Sequence, residues 1–251
     1  MIATVDLNCD MGEGYASDTE LMEFVSSVNI ACGAHAGDRD TMQLTVDNAL
    51  RANVAIGAHP GFADRMSFGR KRIEQSEGEI SASVTSQINE LQQVCISSGA
   101  QLKHVKPHGA LYNLAATDIA TARAIVQAVR AVDPQLMLFG LAGSELLRQA
   151  EAIELRGISE VFADRTYQND GTLTPRTESN ALVTNVDESA ERALRMVLQG
   201  KIMSADGFEV AVRADTICIH GDGEHALVFA KTIRRTLNES QIEVRSPIGT
   251  V

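Results

Sequence analysis

The chain reads as an α/β protein built on a parallel sheet, and three observations predict this. Short β-rich apolar runs alternate with longer segments of helical periodicity, the order expected of repeated βα units. The β-rich runs are continuously apolar rather than alternating, as in strands covered on both faces. The length, 251 residues, suits one α/β barrel. No linker, repeat or low-complexity stretch divides it, so residues 1–251 are read as a single domain. An open doubly wound sheet and a closed barrel both satisfy this pattern.

Seven runs qualify as strands: ATVDLN, VNIAC, VAIGA, LKHVK, LMLFG, ISEVFA and TICIH. Between them lie helix signals. Ser76 and Glu79 form a capping box ahead of EISASVTSQINELQQVCISS, and Gly99 supplies the stop. Thr117 is the expected cap of TDIATARAIVQAVRAV, with Pro134 soon after it. Asp187 is the expected cap of ESAERALRMVLQ, which Gly200 ends. The last helix, EHALVFAKTIRRTLN, puts Leu227, Ala230, Ile233 and Leu237 on one face. KIMSADGFEVAVRA departs from the βα rhythm: its Asp206-Gly207 turn between two β-type runs predicts a hairpin before the last strand.

Composition narrows the function. Hydrophobic residues make up 44% and charged residues 22%, as in ordinary globular proteins. The net charge of −11 argues against nucleic acid, which needs a surplus of Lys and Arg. Tryptophan is absent and aromatics are 4%, leaving little for base stacking. The start, MIATVDLNCD, lacks the basic and apolar regions of a signal peptide. No run reaches the ~18 apolar residues of a membrane span. The expectation is a cytoplasmic protein without membrane contact. Cys9, Cys32, Cys95 and Cys218 form no Cys-x-x-Cys pair and are expected to be reduced, buried thiols.

Polar residues collect where the strands end. The first strand leads to Asn8, Asp10 and Glu13, the second to His35 and Asp38, and the third to His59 and Asp64. Lys106 and His108 follow the fourth strand, Asp164, Arg165 and Tyr167 the sixth, and His220 and Asp222 the seventh. His225 lies just beyond, and His104 sits inside the fourth strand. An aspartate after a strand is often only the cap of the next helix, which accounts for Asp38. Convergence of so many titratable groups at strand ends instead points to one site, because in a β/α barrel those ends share a face. From that position Lys106→Met and His108→Asn are expected to abolish activity with little effect on stability.

The segments DLNCDMGE, NIACGAHAGD, GAHPGFAD, SFGRKRI, VKPHGALYN, EVFADRTY and ICIHGDG together resemble the LamB/YcsF family, from the first strand to the last. The sequence departs from the family's pattern at Ala34, where Phe or Tyr is expected, and at Gly223-Glu224, where Thr or Asn followed by Pro is expected. The resemblance implies a closed seven-stranded β/α barrel, a TIM-like variant similar to the glycoside hydrolase and deacetylase type, with a small hairpin before the last strand. It also implies the A subunit of a bacterial 5-oxoprolinase, working with subunits B and C to open the 5-oxoproline lactam to L-glutamate at the expense of ATP.

On that reading Asp10, His35, His59, Lys106 and His108 are the catalytic candidates. Lys106 is the cation for developing oxygen charge. Asn8, Arg165, Tyr167, His220 and Asp222 are the substrate-binding candidates, with Arg165 clamping the carboxylate. The similarity to deacetylases raises a divalent metal held by Asp10, His35, His59 and His108, which serve equally well as acid, base and anion-binding groups. A phosphate loop of the form G-x-x-x-x-G-K-[ST] is missing, and GDGEHA reads as a helix N-terminus for an anion. Two alternatives stand beside this reading: a metal-dependent deacetylase or amidohydrolase acting without ATP, and a non-catalytic substrate-binding subunit.

Overall fold

The computed structural model describes residues 3–219 and 226–247. In chain order the elements are β1 (Thr4–Met11), α1 (Asp18–Leu21), β2 (Ser27–Ala31), α2 (Arg39–Ala52), β3 (Ala55–His59), α3 (Glu77–Ser97), β4 (Leu102–Val105), α4 (Gly109–Ala115), α5 (Ile119–Val132), β5 (Met137–Leu141), α6 (Glu145–Ala152), β6 (Gly157–Phe162), α7 (Val186–Gln199), β7 (Lys201–Met203), β8 (Glu209–Ala211), β9 (Thr216–Ile219), α8 (Ala226–Glu239) and β10 (Glu243–Val244).

Seven parallel strands run in the order β1-β2-β3-β4-β5-β6-β9, and β9 returns to pair with β1. The sheet is therefore a closed barrel, as the family resemblance implies. β10 adds a short parallel pairing at the start of β1, Thr4 opposite Glu243. β7 and β8 form the expected antiparallel hairpin before the last barrel strand.

The core lies between the outward faces of the strands and the helices. Val5, Leu7, Cys9 and Met11 of β1 belong to one buried cluster with Val46 of α2, Ile88 and Leu91 of α3 and Ile125 of α5. Each such side chain contributes roughly 1.5–3 kcal/mol by leaving water. The inward faces are unlike the aliphatic layers usual in such barrels. Asp6, Asn8, Asn29, His104, Glu160 and Thr216 are all buried and joined to one another by hydrogen bonds. Gly57 of β3 makes room for this column, since a Cβ there would lie 2.0 Å from His104 Nε2.

The capping box at Ser76 and Glu79 is present, and Asp38 caps α2 by accepting from Thr41 N. Two expected caps are corrected. Asp118, not Thr117, caps α5, because its carboxylate accepts from Thr121 N while Thr117 N still donates to Leu114 O at the end of α4. Asn185, not Asp187, caps α7 by accepting from Glu188 N. Asp187 instead falls in the first turn, where its charge favours the helix dipole.

Candidate active site

A cavity of about 720 Å³ opens at the carboxyl ends of the strands. Its floor includes Asp10, Glu13, His59, Lys106 and His108. Arg70, Arg72 and Arg176, all exposed, stand in its lining. An acidic protein thus presents a cationic mouth, which draws in small anions.

Lys106 is the hub of the floor. It follows β4, and its N–H donates to Ala58 O of β3, keeping the barrel register past the strand end. Its Nζ lies 2.9 Å from Asp10 Oδ1 and 2.9 Å from Glu160 Oε1, and it donates to Asn8 Oδ1 at 3.1 Å and Cys218 Sγ at 3.0 Å. Burial opposes its charge, but Asp10 and Glu160 flank the ammonium, and its pKa is held well above the usual range. Burial keeps the Cys218 thiol raised and neutral. Lys106 is therefore a buried counter-ion, 2% exposed. Its place between two buried carboxylates argues against the expectation that its loss spares stability.

Asp10 is held by the same hub. Oδ1 also accepts from Asn29 Nδ2 at 2.8 Å, and Oδ2 stands 3.3 Å from His59 Nε2. His59 donates from Nδ1 to Lys106 O at 2.7 Å. His108 donates from Nε2 to Phe68 O at 2.8 Å, and its Nδ1 is 2.9 Å from His59 Nε2. His35 lies flat against His108, with ring centroids 3.7 Å apart, and its Nε2 is 3.1 Å from Glu13 Oε1. Burial, reinforced by His59, lowers His35 to about 3. Burial, followed by His59 and His35, holds His108 well below the usual imidazole range. Both are neutral imidazoles at physiological pH.

Loops fix these rings. Arg65 donates to Gly33 O and Gly37 O, strapping the loop after β2, which carries His35, to the loop after β3. Gln87 of α3 pins the latter through Gly61 N and O. Gly69, at φ +63, passes so close that a Cβ would lie 2.8 Å from His108 Cδ2 and from His35 Cβ.

Of the expected residues, Asp10, His35, His59, Lys106 and His108 come together. Three of the expected substrate contacts are placed differently. Asn8 is wholly buried beneath the floor, where it binds Glu160 and Thr216. Tyr167 is wholly buried in the core, its hydroxyl accepting from Phe162 N at 2.7 Å. Arg165 lines the cavity, but its guanidinium donates to the carbonyls of Ala181 and Thr174, which hold its loop closed. His220 and Asp222 lie outside the described residues. Glu13 joins the histidines as a cluster able to hold a metal ion. Glu160 was hidden inside an apolar strand run, and only its place opposite Lys106 marks it.

The LamB/YcsF family pattern matches residues 5–250. The chain belongs to the LamB/YcsF family. A relative from Brevibacillus brevis, named as the A subunit of 5-oxoprolinase, is 51% identical over 246 residues, covering 96% of this chain and 97% of its own. The crystal structure of the lactam utilization protein from Thermus thermophilus superposes with a TM-score of 0.91 at 44% identity, covering 96% and 99% of the two chains. A peptidoglycan deacetylase from Bacillus subtilis, at 11% identity and TM-score 0.51 with 98% and 89% covered, shares the fold of this LamB/YcsF chain.

Proposed function

We propose that this chain is the A subunit of a multi-subunit 5-oxoprolinase, which opens the 5-oxoproline lactam to L-glutamate in an ATP-driven reaction. The 51% identity to a relative bearing that name, over nearly the whole chain, carries the reading. Subunits B and C are the expected partners. With its four buried free thiols, the chain is assigned to the cytoplasm.

The site chemistry suits the reaction. The substrate is a small anion, and the arginine-lined mouth matches its carboxylate. Arg165 lines the same cavity with two of its donors holding Ala181 O and Thr174 O, and the rim arginines join it as candidate carboxylate contacts. A five-membered lactam is a stabilised amide, and phosphorylation of its oxygen by ATP would make the ring carbon open to water. Asp10 is the candidate base for that water, because it lines the cavity with Oδ1 anchored by Lys106 and Asn29 and Oδ2 3.3 Å from His59 Nε2. Asp10, once it has taken a proton from that water, is the candidate acid that returns it to the departing ring nitrogen, with His59 and His108 on the same floor. Lys106 positions Asp10 rather than meeting the substrate oxygen.

The test is glutamate formation and 5-oxoproline-dependent ATP hydrolysis, measured for the chain alone and with the partner subunits. The chain alone is expected to be inactive because it lacks a phosphate loop, and the complete set should couple the two reactions. Full activity of the isolated chain would overturn the division of labour. An absence of glutamate from the complete set would overturn the substrate.

A further inference from the structure

Two imidazoles of the floor turn a ring nitrogen towards each other. His59 Nδ1 is 2.7 Å from Lys106 O, and His108 Nε2 is 2.8 Å from Phe68 O. A carbonyl oxygen only accepts, so both of those nitrogens carry protons. The remaining nitrogens, His59 Nε2 and His108 Nδ1, stand 2.9 Å apart, and His59 Nε2 is also 3.3 Å from Asp10 Oδ2. A proton or a metal ion between them satisfies both nitrogens. Bonds from the outer nitrogen to a carbonyl are also how metal-binding histidines fix tautomer and ring direction.

Two more ligand atoms converge on the same point. Glu13 Oε1 is 3.1 Å from His35 Nε2 and 3.6 Å from His108 Nδ1. His35 takes its direction from stacking, at an interplanar angle of 3° to His108, rather than from a carbonyl bond. One ligand atom of each of Glu13, His35, His59 and His108 lies within 4.8 Å of the others. A tetrahedral ion with bonds of ~2.0–2.1 Å spaces its ligands ~3.3 Å apart, so small ring rotations bring these atoms into place.

We propose that Glu13 Oε1, His35 Nε2, His59 Nε2 and His108 Nδ1 together bind a divalent transition-metal ion of the zinc type. Three imidazoles and a carboxylate favour Zn(II) or Co(II) over Mg(II) and Ca(II), which prefer oxygen ligands throughout. The carboxylate is Glu13 rather than the expected Asp10, because Glu13 is the carboxylate whose ligand atom falls with those of the three histidines in one group within 4.8 Å. Four protein ligands fill a tetrahedral shell, so for the ion to act on a substrate oxygen or a water beside Asp10 it would have to expand to a fifth ligand. That role rests on the lactam-opening reading, whereas the binding does not.

The experiment uses the full chain, stripped with a chelator and dialysed against Zn(II) or Co(II) without substrate. Wild type should retain about one ion per chain, and the Co(II) form should show the intense visible absorption of a four-coordinate site. His59→Ala and Glu13→Gln should each weaken Zn(II) binding by about 100-fold or more. His104→Gln, which alters a buried imidazole outside the cluster, should bind like wild type. Glu13 sits on the loop after β1, so Glu13→Gln should keep its far-UV circular dichroism even if His59→Ala unfolds. Wild-type affinity in a folded Glu13→Gln variant would overturn the proposal, as would a wild-type chain that retains no metal. Because no substrate is present, failure here is distinct from failure of the glutamate assay.

Discussion

Replacing Lys106 by Met removes one positive charge from between two carboxylates. Asp10 and Glu160 each lie 2.9 Å from Nζ, and the Glu160 side chain is fully buried. Neighbouring Cys218 is a neutral thiol, Asn29 gives Asp10 an amide hydrogen bond, and His59 Nε2 lies 3.3 Å from its Oδ2. Breaking a buried pair by deleting one partner costs about 3–5 kcal/mol. For a chain of this size each kcal/mol lowers Tm by about 2–4 °C, so Lys106→Met should melt about 6–20 °C below wild type. The assay is thermal unfolding by circular dichroism at neutral pH, at one scan rate for all variants. Adding Glu160→Gln removes one stranded charge while its amide oxygen can still accept from Asn8 Nδ2. Neighbouring groups couple by about 0.5–3 kcal/mol, so the double variant should regain part of the loss. If Lys106→Met melts within about 3 °C of wild type, or Glu160→Gln worsens it further, Lys106 is not the counter-ion described here.

Other perturbations test other parts of the structure. Burial holds His104 down to about 3 against an ordinary 6.5, so its contribution to stability is full above pH 6.5 and is lost as pH falls towards 3. His104→Gln should give a shallower decline in urea-unfolding stability across that window; an unchanged pH slope would exclude His104 as the source. Gly57→Ala drives a methyl into the His104 ring and should cost about 1–3 kcal/mol or more, with partial rescue by His104→Ala. Failure of that rescue would place the strain elsewhere. In the assembled enzyme His108→Asn should lower kcat for glutamate by roughly 10²–10⁴-fold while the variant remains folded. Near-normal turnover would remove His108 from the catalytic floor.

Much of the fold was legible because its signals are local. Continuous apolar runs become buried parallel strands whatever their neighbours do, and the Ser76–Glu79 capping box and the Asp206-Gly207 hairpin need only a few residues each. Barrel closure was legible only through family resemblance, since an open sheet has the same strand pattern. The strand-end rule gathered Asp10, His35, His59, Lys106 and His108, because strand direction alone carries those ends to one face. It could not say what each group meets there. Lys106 sits at a strand end like a substrate contact, yet it meets Glu160 from a strand 54 residues further on, a pairing that depends on how the barrel closes. Asn8 and Tyr167 likewise turn away from the cavity through contacts made only in the folded chain. Residue types and strand order thus determined which face would hold the chemistry. Tertiary structure decided charge pairing, tautomer and exposure, because these depend on distances between segments remote in sequence.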